Sequence, residues 1–197
     1  MKKLVLVVAS LLFIAPAVLA DNWGASVKLG VGENDPATMK EKYDYYGGEL
    51  TKGYGIFGLE ALYEWDLNDE ANKIGAKVGL DVYGENEWKY AGEKVTEDTY
   101  AFPVTVYYKR DNGIKAWSYY GGAGLTFLRA ELEATGGKQN KDKTVPHLMV
   151  GGEYRFTKLF ALGAELKYNF SAKVKENNEV LSDRSGVSGS VVCRFYF

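Results

Sequence analysis

Apolar and polar or small side chains alternate along most of the chain after residue 20. Between residues 23 and 32, Trp23, Ala25, Val27, Leu29 and Val31 occupy the odd positions, whereas Gly, Ser and Lys occupy the even ones. Successive side chains of a β-strand point to opposite faces, so this period of two predicts strands with one apolar and one polar face. We therefore predict an all-β fold.

Eight segments show the alternation, and the connections between them differ in length. The predicted strands are 23–32, 54–66, 73–83, 99–109, 116–128, 147–156, 160–171 and 187–197. The connections 33–53, 84–98, 129–145 and 172–186 are long and charged, whereas those at 111–113 and 157–159 are short turns. Long loops at one end and short turns at the other are typical of an eight-stranded antiparallel up-and-down transmembrane β-barrel.

The first twenty residues have a different character. A basic start, Met1-Lys2-Lys3, precedes an apolar run from Leu4 to Ile14 that is too short to cross a bilayer as a helix. Pro16 and the small residues ending at Ala20 follow. This pattern predicts a secretory signal peptide over 1–20, cleaved after Ala20, and a single barrel domain over 21–197.

Charged side chains of both signs fall on the polar faces of the predicted strands. A Lys or Arg that faced lipid near the membrane midplane would cost about 2–4 kcal/mol, whereas inside a barrel opposite charges can pair. This favours a membrane barrel over a soluble, lipocalin-like barrel, whose apolar face points inward. The predicted polar network of the lumen, a structural network, consists of Lys28, Glu60, Lys77, Asp81, Glu153, Arg155, Glu165, Lys167 and Arg194, and Glu64 shares its face.

Aromatic residues of the apolar faces cluster near the strand ends. Trp23, Trp65 and Trp117 lie at the short-turn ends, whereas Phe57 and Phe102 lie toward the long-loop ends. Two such bands are expected where a barrel crosses the two interfaces of a membrane. A three-residue turn at 157–159 would set Phe156 opposite Phe160, and it would place Glu153 and Glu165 opposite glycines.

Two stretches resemble a known family. Residues 151–162 read Gly-Gly-Glu-Tyr-Arg-Phe-Thr-Lys-Leu-Phe-Ala-Leu, and the chain ends on Arg194-Phe195-Tyr196-Phe197. Both resemble the small eight-stranded outer-membrane barrels of the OmpA-transmembrane, OmpX and opacity-protein type. The resemblance implies location in the cell outer membrane, contact with its lipid, and a C-terminal insertion signal, Phe195 and Phe197, read by the barrel-insertion machinery.

The sequence offers little chemistry for catalysis. His147 is the single histidine, and Leu148-Met149 follow it rather than a His-x-Ser arrangement, so we interpret it as a structural residue of the rim or lumen. Cys193 falls on the lipid face and, as the single cysteine, cannot form an intrachain disulfide. The acidic stretch 85–98 is irregular and carries no calcium-loop spacing. We predict no enzyme, no catalytic residues, no cofactor and no metal site.

The functional hypothesis follows from these features. Eight strands leave an interior that side chains fill, so we expect a plugged lumen. We predict a non-enzymatic barrel with a structural role, a surface-interaction role, or both. The surface interaction would use the four extracellular loops to bind an extracellular ligand. A channel for small solutes or hydrophobic compounds is the alternative, and a lipid A-modifying enzyme using His147 is a third hypothesis. The formal net charge of −2 argues against a nucleic-acid partner.

Overall fold

The computed structural model describes residues 22–33, 53–67, 71–84, 86–90, 93–112, 116–134, 137–176 and 179–197. The predicted signal peptide and nearly all of the first predicted loop lie outside these ranges. Within them the chain forms eleven strands. These are β1 (Trp23–Glu33), β2 (Gly53–Asp66), β3 (Asn72–Tyr83), β4 (Asn86–Tyr90), β5 (Glu93–Asp111), β6 (Trp117–Ala134), β7 (Gly137–Arg155), β8 (Phe160–Asn169), β9 (Lys173–Glu176), β10 (Glu179–Asp183) and β11 (Gly186–Tyr196).

Eight of these strands close an antiparallel barrel, which confirms the predicted fold class. The order around the ring is β1, β2, β3, β5, β6, β7, β8 and β11, and β11 pairs back onto β1. The paired residues lead once around the ring from Asn22, whose carbonyl accepts from the Glu64 amide. The path returns to β1 at Gly32, ten residues further along. Such a stagger requires strands tilted by about 35–45° to the barrel axis.

Three of the four segments predicted as long loops contain strand. β5 starts at Glu93 and pairs with β4, and β6 and β7 stay paired up to Ala134 and Gly137. A separate hairpin, β9–β10, precedes β11. Most of the described part of the connection predicted at 84–98 is therefore strand. Beyond the lipid both faces of a strand can be polar, so the alternation disappears while backbone pairing continues to satisfy the amides and carbonyls.

Burial alternates along the barrel strands in the predicted sense. Along β2 the side chains of Tyr54, Ile56, Leu62 and Glu64 are buried, whereas that of Phe57 is exposed. Apolar side chains at the other parity, such as Val150 at 57 % exposure, cover the outer surface. The described residues contain no helix that is long and apolar enough to span a membrane.

The β7–β8 turn has the predicted register. The Phe156 amide donates to the Phe160 carbonyl at 3.0 Å, Glu153 pairs with Gly163, and Gly151 pairs with Glu165. The aromatic rings at this end of the barrel form two chains of contacts over neighbouring strands. One consists of Trp23–Tyr63 and Tyr63–Trp65, and the other of Trp117–Tyr154, Tyr154–Phe156, Phe156–Phe160 and Phe160–Phe195, with centroids 4.6 to 5.8 Å apart.

Candidate functional site

The barrel interior collects charged side chains that the sequence spreads over seven strands. Eight of the nine residues proposed for the lumen are buried there: Lys28, Glu60, Lys77, Asp81, Glu153, Glu165, Lys167 and Arg194. Arg155 lies at the short-turn rim with its side chain 28 % exposed. Its guanidinium carbon is 4.3 Å from the centroid of the Tyr196 ring. The antiparallel register therefore brings together groups up to 166 positions apart, from Lys28 to Arg194.

One half of the interior is an alternating cluster of lysines and carboxylates. Lys28 Nζ lies 3.1 Å from Glu60 Oε1 and 2.8 Å from Asp81 Oδ1. Lys167 Nζ approaches the other oxygen of Asp81 at 3.1 Å. Lys77 Nζ bridges Glu60 at 3.2 Å and Glu165 at 2.6 Å. Each carboxylate in this cluster touches at least one cation, as buried charges require.

The half nearer the short turns centres on Arg194. Its Nη1 donates to Glu153 Oε2 at 2.6 Å, and its Nη2 donates to Glu165 Oε2 at 2.8 Å. The guanidinium carbon also lies 4.4 Å from the centroid of the Tyr120 ring. Glu165 therefore joins the two halves, since it contacts both Arg194 and Lys77.

Several members of this network were missing from the sequence-based set. Lys109 Nζ lies 2.6 Å from Glu153 Oε1 and 3.1 Å from Glu64 Oε1, and it donates to Tyr196 Oη at 2.8 Å. The hydroxyl of Tyr196 in turn donates to Glu153 at 2.7 Å. Lys109 on β5 and Tyr196 on β11 could have been found from the alternation, because both occupy positions whose side chains point into the barrel. The lysine lies near the end of its predicted strand, and the tyrosine is partly apolar, so neither stood out.

Glycines make room for the largest interior groups. A Cβ on Gly58 would meet the Lys28 side chain and the Asp81 carboxylate, at 2.5 and 2.6 Å. A Cβ on Gly151 would lie 2.5 Å from the Tyr120 ring. The interior is thus filled by long polar side chains that extend over glycines of neighbouring strands.

His147 sits within this interior and is 2 % exposed. Its Nε2 lies 2.9 Å from Thr105 Oγ1, and its Nδ1 lies 2.8 Å from Thr126 Oγ1. A catalytic histidine needs a nucleophile on one nitrogen and an orienting group, usually a carboxylate, on the other. The buried hydroxyl of Ser188 donates to the Lys167 carbonyl at 3.4 Å and not to His147.

Arg184, which no sequence pattern singled out, occupies the mouth of the barrel on the long-loop side. Arg184 follows β10, and its side chain is 1 % exposed. Its Nη2 lies 3.2 Å from Glu97 Oε1. With this pair, buried cations and carboxylates alternate from one mouth of the interior to the other. No group of three or more potential metal-binding side chains occurs within the described ranges.

The two residues proposed as the C-terminal insertion signal lie on the outer surface. Phe195 is 39 % and Phe197 is 41 % exposed, and the Phe195 ring ends the longer of the two aromatic chains described above. The Phe197 amide donates to the Trp23 carbonyl at 2.9 Å. The last residue therefore contributes to the seam where the barrel closes. Cys193, also on this strand, lies opposite Val27 and Leu162 on the apolar face.

Solved structures of small outer-membrane barrels share this fold at low sequence identity. The attachment invasion locus protein Ail of Yersinia pestis is 16 % identical with a TM-score of 0.55, over 90 % of this chain and 99 % of Ail. Neisserial surface protein A is 17 % identical with a TM-score of 0.55, over 89 % of this chain and 96 % of that protein. The N-terminal barrel domain of Pseudomonas aeruginosa OprF is 11 % identical with a TM-score of 0.54, over 91 % and 100 %.

A second structure of Ail contains the heparin analogue sucrose octasulfate and matches at 14 % identity with a TM-score of 0.53, over 89 % of this chain and 98 % of Ail. No curated protein matches the chain by sequence. The family model for the outer membrane protein β-barrel domain matches residues 5–195. Together with the closed barrel, its apolar outer wall and its paired interior, this match shows that the chain belongs to the outer membrane protein β-barrel family.

Proposed function

We propose that this protein is a non-enzymatic outer-membrane barrel that supports the envelope and presents its long-loop side to partners outside the cell. The observation that carries the proposal is the contrast between the two parts of the molecule. The interior is closed by paired charges, whereas strands at the long-loop side continue well past the apolar wall. In such a molecule the functional residues are expected on the loops and strand extensions, which the barrel wall supports.

The paired interior supports a structural role for the predicted polar network. A diffusion pathway needs continuous space that water can fill, whereas here Lys77, Glu165 and Arg194 are in contact across the lumen. Arg184 and Glu97 fill the outer mouth. Planar-bilayer recordings of the wild-type protein should therefore show no openings above background. Regular single-channel steps would favour the channel hypothesis instead.

The surroundings of His147 support a role without catalysis. The imidazole lies inside the barrel wall and both of its nitrogens are taken by threonine hydroxyls. A lipid substrate would have to reach the ring from the outer leaflet, through the wall or through the mouth that Arg184 fills. Overexpression should leave the acyl pattern of lipid A unchanged, as mass spectrometry of the extracted lipid would show. An altered pattern that His147→Ala removed would overturn the non-enzymatic assignment.

The extended hairpins support the surface-interaction role. β5, β6 and β7 continue beyond the outer apolar residues Phe102 and Phe127. The wall beyond them carries polar groups, such as the exposed ion pair between Arg129 and Asp142. The paired strands therefore carry this polar surface beyond the apolar part of the wall. The Ail complex suggests sucrose octasulfate as one soluble probe of this surface.

The test separates the two roles by trimming the hairpins. In one variant residues 131–140 are replaced by a two-residue turn, which shortens β6 and β7 without touching the interior network. A mobility difference between boiled and unboiled samples on a detergent gel checks that the barrel still folds. Cells lacking the protein are then complemented with either form, and detergent resistance and adhesion to a protein-coated surface are measured.

Both forms should restore detergent resistance if the barrel supports the envelope. Only the full-length form should restore adhesion if the hairpins bind partners. The proposal is wrong if loss of the protein changes neither property, or if adhesion is the same with the trimmed form. A trimmed protein that fails the gel test is replaced by one with a shorter deletion, residues 134–137.

A further inference from the structure

The lipid-facing wall of the barrel contains a groove that crosses several neighbouring strands. It lies where small residues face outward, at Gly152 on β7, Ala164 on β8 and Gly189 on β11. The groove has a volume of about 780 Å³. Its sides are exposed apolar side chains of the outer surface: Leu29, Val31, Val150, Leu166 and Val191.

The groove follows one row of paired residues across the wall. Tyr119 on β6 pairs with Gly152, which pairs with Ala164, and the row continues through Val191 to Leu29 on β1. Five strands about 4.8 Å apart make this row about 19 Å long. That length exceeds the depth of one hydrocarbon leaflet, about 15 Å. Because the strands are tilted, the row begins near the short-turn end and rises toward the middle of the wall.

The depression results from side chains that stand beside glycines. A Cβ on Gly152 would lie 3.4 Å from Tyr119 Cδ1, so the tyrosine ring lies against this glycine and forms the short-turn end of the groove. Further along, a Cβ on Gly189 would lie 3.5 Å from Leu166 Cδ2. The groove is therefore about one side chain wide, which suits a single narrow apolar chain.

An arginine stands beside the short-turn end of the groove. Arg110 on β5 is the ladder partner of Tyr119, and both side chains are exposed on the outer face. Residues directly opposite each other on one face have Cβ atoms about 4.5–5.5 Å apart. Arg110 forms no ion pair with any side chain in the described part of the chain. A guanidinium without a carboxylate partner is complementary to a phosphate, which it binds through two parallel hydrogen bonds.

We propose that Arg110 and this groove together form a binding site for one anionic glycerophospholipid of the leaflet on the short-turn side, which is the inner leaflet in outer-membrane barrels. Arg110 binds the phosphate, and one acyl chain lies along the row that starts at Tyr119. The site needs both parts, because an interfacial arginine alone is a general anchor and an apolar groove alone takes any lipid chain. The inference uses the lipid-facing wall and not the hairpins of the long-loop side.

The first test compares three probes on the wild-type protein in detergent, by native mass spectrometry. Phosphatidylglycerol with palmitoyl and oleoyl chains should bind saturably, with one molecule retained for each barrel. Diacylglycerol with the same chains lacks the phosphate and should bind at least about tenfold more weakly, because a charged hydrogen bond is worth that much. Glycerol phosphate carries the phosphate without the chains and should not bind in the same concentration range.

The second test uses two variants with matched controls, each shown to be folded by its mobility shift on heating. Arg110→Gln should weaken phosphatidylglycerol binding about tenfold, whereas Arg129→Gln, an exposed arginine at the opposite end of the wall, should leave it unchanged. Ala164→Leu fills the groove and should weaken binding about tenfold, the equivalent of two methylenes that lose their contact. Ala123→Leu, exposed on β6 outside the groove, is its control. Ala164→Val replaces a leucine variant that does not fold.

The third test locates the acyl chain. Phosphatidylglycerol with a photoreactive diazirine in one chain is crosslinked to the wild type in nanodiscs, and the labelled peptides should come from β7, β8 and β11. The inference is overturned if labels are spread evenly over the strands, or if diacylglycerol binds as tightly as phosphatidylglycerol. It is also overturned if Arg110→Gln behaves like Arg129→Gln, or Ala164→Leu like Ala123→Leu. These readouts do not involve adhesion or detergent resistance, so this proposal and the proposed function fail separately.

Discussion

Arg194 Nη1 on β11 lies 2.6 Å from Glu153 Oε2 on β7, although β8 separates their two strands. The contact therefore crosses the lumen rather than following a ladder. Arg194 also holds Glu165 at 2.8 Å, so one guanidinium neutralises two buried carboxylates. Arg194 is therefore the centre of the half of the network that lies nearer the short turns, and Glu165 connects it to the other half.

Replacing Arg194 with methionine should destabilise the barrel strongly. The substitution keeps much of the side-chain volume but leaves Glu153 and Glu165 without this cation in a buried setting. Removing one partner of a buried ion pair typically costs about 3–5 kcal/mol. Urea unfolding of the barrel in lipid vesicles, followed by tryptophan fluorescence, measures the change in the free energy of unfolding.

The matched control is Arg129→Met. Arg129 pairs with Asp142 at 3.0 Å, but the two side chains are 51 % and 70 % exposed. Exposed pairs of this kind contribute about 0–1 kcal/mol. Equal losses for the two variants would show that the interior pairs are as well solvated as the surface pair, contrary to the plugged lumen.

Gly124→Ala should impair folding because the barrel wall has no space at this position. A Cβ on Gly124 would overlap the Val104 carbonyl oxygen and would lie 2.9 Å from His147 Cε1. A backbone atom cannot be displaced as easily as the end of a flexible side chain, so β5 and β6 would have to separate. Overpacking of this kind typically costs about 1–3 kcal/mol, and the fraction of heat-modifiable protein after refolding should fall.

Gly55→Ala is the corresponding control on β2. A Cβ there would meet no atom within 4 Å, so refolding should proceed as in the wild type. If Gly124→Ala refolded as efficiently as Gly55→Ala, β5 and β6 would not lie as close together at Gly124 as the structure shows.

An arginine on the apolar wall should be costly only near the middle of the membrane. Val150 faces outward midway along the apolar part of β7, whereas Phe156 faces outward at the short-turn end. We expect Val150→Arg to cost about 2–4 kcal/mol and Phe156→Arg to cost about 0–1 kcal/mol, because the arginine of the second variant reaches the interface. Urea unfolding in lipid vesicles measures the free energy lost in each variant. A larger loss for Phe156→Arg than for Val150→Arg would mean that the outer face does not contact lipid.

Removing the aromatic ring of the last residue should reduce assembly of the barrel in the cell without preventing the purified protein from folding. Phe197→Ala keeps the backbone bond from the Phe197 amide to Trp23 while removing the terminal aromatic ring. If Phe195 and Phe197 form the insertion signal, the amount assembled in the outer membrane should fall several-fold. The purified variant should still refold in detergent and shift on heating. Normal assembly in cells would contradict the proposed role of Phe197.

The barrel could be predicted from local patterns in the sequence. An alternation of period two, charges confined to one face, aromatic bands and the difference in connection lengths together specify strand number, orientation and the β7–β8 register, since a one-residue slip would turn every side chain to the wrong face. The predicted partners Glu153–Gly163 and Gly151–Glu165 are therefore found in the structure.

The contacts between interior charges and the residue that fills the mouth could not be predicted in this way. Contacts such as Arg194 with Glu153, or Lys77 with Glu165, depend on the stagger of the closed barrel, which sums the registers of all eight pairings. Arg184 lies outside every predicted strand, so periodicity gave it no direction. Its burial between Tyr54, Tyr83 and Glu97 follows from a backbone turn and from three separate strands. Local alternation encodes which face a residue takes, whereas closure of the ring determines its neighbours across the lumen.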